Sequence, residues 1–101
     1  MDMHQFLTEE LEKIDEIYSS FISDTANKKA RFIDPAQDVP GLPSTSFLED
    51  YIELTKRLYN GAKRTLARAE DEGFDRTIIN MVANEISPRC KEYLLTFLRE
   101  N

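Results

Sequence analysis

Apolar residues recur near the start of the chain at helical intervals: Leu7, Leu11, Ile14, Tyr18 and Phe21 are separated by four, three, four and three positions. Phe6, Ile17 and Ile22 widen the stripe. At 3.6 residues per turn these positions share one side, so the spacing predicts an amphipathic helix from about residue 3 to 23. Thr25, Phe32 and Ile33 return to the same stripe, whereas Lys28 and Lys29 interrupt it. The helix therefore ends at Ser23-Asp24-Thr25 or runs on to about Phe32.

Pro35, Pro40, Gly41 and Pro43 crowd residues 34–45. Proline removes a donor and clashes with the preceding turn, so this stretch is expected to be the one long loop. Val39 and Leu42 offer apolar points at which it pins to the rest of the molecule.

Ser46 followed by Glu49 has the capping-box spacing that marks a helix start. From it run Leu48, Tyr51, Ile52, Thr55, Leu58, Tyr59, Ala62, Leu66 and Ala69, an apolar stripe that predicts a helix over about 47–72 closed by Gly73. Gly61 lies inside it, and close approach of a neighbouring helix is the simplest reason for a glycine there. Asp75 is placed to cap a third helix over about 75–99, with Ile78, Ile79, Val82, Ala83 and Ile86 on its apolar side and Cys90, Tyr93, Leu94 and Phe97 in the same phase. Pro88 predicts a kink or a break, with Ser87 as a fresh cap.

The second and third segments match in length and suit an antiparallel hairpin whose groove receives the first helix. The expected fold is all-α: a single domain, residues 1–101, forming a compact antiparallel bundle of three long helices. A break at Pro88 would make four by count.

Charge is sorted along this frame. Residues 1–24 carry Asp2, Glu9, Glu10, Glu12, Asp15, Glu16 and Asp24 against Lys13, and residues 51–69 carry Lys56, Arg57, Lys63, Arg64 and Arg68 against Glu53. Glu9, Glu12 and Glu16 are candidate partner-binding residues on the acidic face. Arg57, Arg64 and Arg68, within about 40° of one another on a helical wheel, are their counterparts on a basic outer face. The net charge of −6 disfavours nonspecific adhesion to nucleic acid. A stripe about 160° wide on the first helix predicts self-association.

The residues that carry chemistry are sparse. His4 is the only histidine and Cys90 the only cysteine, which excludes a Cys-rich zinc site, a CxxC redox pair and an intrachain disulfide, and fits a reducing compartment. A Glu-x-x-Glu pair, Glu9 and Glu12, has magnesium-site spacing, but its counterpart, Glu72 with Asp75, straddles the Gly73 turn. The three glycines are too scattered for a phosphate loop. No catalytic set, cofactor or metal is expected. No window is apolar enough for a membrane span and no leader pattern opens the chain, so a cytoplasmic protein is expected.

The sequence reading is a noncatalytic helical protein-protein interaction module, an adaptor, inhibitor or assembly subunit, expected to form homo-oligomers. Two other readings stay open: a nucleic-acid-associated regulator using Arg57, Arg64 and Arg68, and a small metal-dependent hydrolase using Glu9 and Glu12.

Overall fold

A computed structural model of the chain describes the backbone of residues 2–31 and 45–100 and the side chains of 2–27 and 46–100. It contains three α-helices, α1 (Met3–Arg31), α2 (Thr45–Asp71) and α3 (Arg76–Glu100), each packed against the other two. The fold is an all-α three-helix bundle. The proline-rich loop, with Val39 and Leu42, lies outside the described residues.

Local chemistry sets the helix ends. Asp2 caps α1, its Oδ1 accepting from the Gln5 amide at 2.7 Å, and Asp75 caps α3 through the Ile78 amide at 2.9 Å. Between α2 and α3, Gly73 takes φ +80°, a conformation that side chains resist. Its amide donates to the Glu70 carbonyl at 3.0 Å and the Phe74 amide donates to the Ala69 carbonyl at 3.2 Å. Those two bonds form a Schellman closure and turn the chain into the α2/α3 hairpin. Phe74, just beyond the glycine, meets Phe6 edge-on at 5.2 Å and so ties the turn to the start of α1.

The structure decides one open reading and corrects two expectations. Of the two ends the sequence offers for α1 it takes the later, continuing to Arg31, with the Thr25 hydroxyl donating to the Phe21 and Ile22 carbonyls inside the helix. α2 begins at Thr45, which puts Ser46 inside the helix. α3 is continuous through Pro88, so Ser87 is an interior residue and not a cap. Pro88 and Asn84, whose carbonyl loses its helical partner, both lie on the exposed side of α3.

The core is built from Phe6, Ile14 and Phe21 of α1, Leu54, Leu58 and Ala69 of α2, and Val82, Ile86 and Phe97 of α3. At one end Phe97 gathers Phe21, Phe47 and Tyr51, with centroids 5.4 Å away for Phe47. These contacts place the start of α2 beside the end of α3. Gly61 fits the close-approach reading: a Cβ there would lie 2.5 Å from Ile17 Cδ1 and 3.2 Å from Ile14 Cδ1 of α1.

Candidate functional site: two grooves flanking the second helix

α2 has a different neighbour on each side, and each junction leaves a groove. The α1/α2 cleft, with a volume of about 910 Å³, is rimmed by charged residues, Lys13, Glu16, Arg57, Lys63, Arg64 and Arg68, over a floor that includes Gly61 and Ile17. Glu10 enters this cleft from the first third of α1. Although it belongs to the acidic run of the first helix, it is 2% exposed. Arg68 Nη1 pairs with its Oε1, Lys13 Nζ reaches the same oxygen at 3.1 Å, and Thr65 Oγ1 donates to Oε2 at 2.9 Å. A buried carboxylate requires such a set, since each unmatched lone pair retains its desolvation cost.

Two arginines of the basic stripe of α2 consequently reach across to α1, although all three keep contact with solvent. Arg57 bonds Glu53 at 3.2 Å on its own helix and Asp24 of α1 at 3.3 Å. The bond to Glu53 raises its already high pKa most, burial opposes the rise, and Asp24 adds to it. Arg68 is taken by Glu10, and Arg64 alone of the three has no ion-pair partner among the described residues. On α1, Glu12 and Glu16 are exposed and Glu9 is half-buried. The six sequence candidates thus fall on two faces of the α1/α2 half, Arg57 and Arg68 being engaged internally.

A second polar junction joins α1 to α3. Arg89 Nη1 donates to Asp15 Oδ1 at 2.8 Å and Oδ2 at 3.2 Å, and the Tyr93 hydroxyl makes a short bond to Asp15 Oδ1. Asp15 therefore serves the bundle and not the outer acidic face. Tyr18 stacks on Tyr93 at 4.4 Å, and its buried hydroxyl has no partner among the described residues. Burial pushes both phenols above the ordinary tyrosine value, with the Asp15 bond adding to the effect at Tyr93.

The α2/α3 groove has the opposite character. It is lined by residues of α2 and α3 alone, has a volume of about 360 Å³, and is floored by Leu58, Ala62, Ile86 and Cys90 between Leu66 and Leu94. Leu48, Ile52 and Tyr59, which the sequence stripe counts among the buried positions, are 49%, 54% and 62% exposed. Met81, Leu95 and Leu98 of α3 are exposed as well. Sequence reasoning assigned this surface to the core; the excess apolar width that marked it lies on α2, whereas the broad stripe of α1 packs into the bundle.

The minor candidates separate cleanly. Cys90 sits in the groove with its thiol pushed up by burial, and Arg89, which might have activated it, is bound to Asp15. His4 is exposed in the first turn of α1. Glu72 and Asp75 flank the Gly73 turn, and among the described residues no three or more acids, histidines or cysteines converge as a metal site. No described helix is long and apolar enough to cross a membrane. The chain matches no protein-family model, no curated protein and no solved structure.

Proposed function

We propose that the protein is a noncatalytic helical protein-protein interaction module, an adaptor, inhibitor or assembly subunit, working in the cytoplasm. The observation that carries this reading is the apolar α2/α3 groove, which Tyr59 lines above the core residues Leu58 and Ile86, together with Leu48, Ile52 and Leu98, which lie exposed on the same two helices. Exposed apolar surface in a contiguous band, bordered by polar residues, is the physical mark of an association surface. Glu9, Glu12, Glu16 and Arg64 supply charge on the remaining faces for orientation and selectivity. The internal pairing of Arg57 and Arg68 weighs against nucleic-acid binding through the arginine stripe, because a phosphate backbone would have to displace Asp24 and Glu10.

Affinity capture from the host, comparing the native chain with Ile52→Glu and Leu98→Glu, tests the reading. Both positions are exposed, so the fold is expected to survive, as circular dichroism would show. A discrete protein retained by the native chain and lost from both variants is the expected result. Identical captures from all three, or salt-sensitive retention of nucleic acid alone, would overturn it.

A further inference from the structure

The apolar face has a shape, a length and a charged border, and together these define what fits it. The groove follows two antiparallel helices and is lined by no residue of α1. On α2 the apolar band runs from Leu48 to Leu66, about 27 Å at 1.5 Å per residue, or five helical turns. Ala62 on one wall and Ala83 and Ser87 on the other are small, which leaves room for side chains of a third element to drop between the helices. A volume of about 360 Å³ takes a few such side chains and not a backbone, as expected for a helix lying along the groove.

The border is basic. Lys56 and Lys63 follow Ile52 and Tyr59 by one turn on α2, so each flanks the exposed residue before it. The Lys63 ammonium, which also lines the α1/α2 cleft, lies 5.5 Å from the centre of the Tyr59 ring, and Tyr59 lines the α2/α3 groove. Lys91 lines the opposite wall on α3. Glu70, one turn beyond Leu66, and Glu49, one turn before Ile52, are the acids at the two ends of the α2 row. Between those ends a chain of net charge −6 places Lys56 and Lys63 on the α2 side of its exposed apolar groove and Lys91 on the α3 side. Pairing two copies through this groove would gather the same lysines from both subunits, and like charges across an interface act against association.

We infer that the α2/α3 groove seats one amphipathic helix of a partner protein, about five turns long, with apolar residues in the groove and acidic residues along both flanks. The inference rests on the protein-binding reading above and specifies its ligand. α1 shows within the molecule that α2 accepts such a partner: it is an acidic amphipathic helix whose Glu10 and Asp24 reach Arg68 and Arg57 on the other side of α2.

The test uses the full chain and two synthetic 18-residue helical peptides, with leucines at i, i+3, i+4 and i+7 spacing and flanks of either glutamate or lysine. Fluorescence anisotropy at low and moderate salt is expected to show the glutamate peptide binding at least tenfold tighter than the lysine peptide. Tyr59→Ala with Leu98→Ala should weaken it tenfold or more, and Lys63→Glu with Lys91→Glu should reverse the preference. All four positions are exposed or line the groove, and retention of helical circular dichroism separates lost binding from lost fold. Groove-dependent binding of the lysine peptide, at equal or greater affinity, would overturn the acidic specificity while leaving the protein-binding reading intact. Binding unaffected by the groove variants, or no binding of either peptide, would overturn the assignment of the groove. A dimer in sedimentation that Ile52→Glu dissociates would show that a second copy occupies it, against the inference.

Discussion

The two sides of α2 solve the same packing problem with different chemistry. Toward α1 the helix presents Gly61, Thr65 and a row of arginines, and the junction is closed by a buried carboxylate and its partners. Toward the outer α2/α3 face it presents leucine, isoleucine, tyrosine and alanine, and the surface remains open. Ion pairs and a glycine contact fix register because they are directional, whereas apolar area has no direction and accepts any complementary shape. The polar side is thus suited to holding α1 in one place, and the apolar side to receiving something else.

The sharpest way to break this comparison is Arg68→Ala. Removing it leaves Glu10 buried with Lys13 and Thr65 only, and an undercompensated buried charge is expected to cost about 3 kcal/mol in urea denaturation. Arg64→Ala, in the same stripe but with no ion-pair partner among the described residues, should change stability by no more than about 0.5 kcal/mol. Equal losses in the two variants would mean that the Glu10 cluster does not anchor α1.

Adjacent positions on α2 sharpen it next. Gly61→Leu drives a side chain into Ile17 and Ile14 and should cost about 2 kcal/mol, as overpacking does. Ala62→Leu, one residue on, points into the open groove and should stay within about 0.5 kcal/mol of the native chain. Thermal denaturation of the pair measures how much closer the α1 side is packed than the groove side.

How much of this was legible follows from the same asymmetry. The three helices, the Asp75 cap, the Gly73 closure and the close approach at Gly61 each depend on one or two local residues, and the sequence displays them directly. The rotational setting of α2 does not. Its apolar stripe is centred about 80° from the side that is buried, using 100° per residue, because α2 turns Leu54 and Thr65 inward and leaves Ile52 and Tyr59 outside. Hydrophobicity alone ranks those positions the other way. Thr65 is inside because Glu10 is there to accept its bond, a match between residues 55 positions apart that no local window contains. The internal pairing of Arg57 and Arg68 escapes the sequence for the same reason: a helical wheel identifies residues that share a face, but the partner helix decides which of them it engages. Pro88 was the reverse case, where the local rule predicted a kink or break and an exposed position removed the need for a break.

The α1/α3 junction gives a pair of opposite expectations. Tyr93→Phe removes a hydrogen bond to Asp15, which Arg89 also engages, and should destabilise by about 1.5 kcal/mol. Tyr18→Phe removes a buried hydroxyl with no partner among the described residues and should be neutral or stabilising by up to about 1 kcal/mol. Denaturant midpoints of the two variants shifting in the same direction would show that the Tyr18 hydroxyl has gained a partner in solution.

The smallest effect is a titration that reports on both sides of the molecule at once. Cys90 in the groove, ordinarily near 9.0, and Tyr18 and Tyr93 at the α1/α3 junction, ordinarily near 10.0, all have their values raised chiefly by burial. For each group the folded state keeps its proton at a pH where the unfolded chain has released it. Unfolding then releases protons, so the stability these groups contribute is intact below about pH 9 and declines as pH rises through the raised values. Cys90→Ala should flatten the part of the decline that begins near pH 9 and leave the part that begins near pH 10, which Tyr93→Phe should flatten instead. The same thiol measures the groove without denaturant: its reaction with a thiol-specific reagent at pH 8 should be slower than that of the unfolded chain, because burial holds it protonated and covered. A helix seated in the groove should slow it again, and an unchanged rate on saturation with the acidic peptide would place that peptide elsewhere.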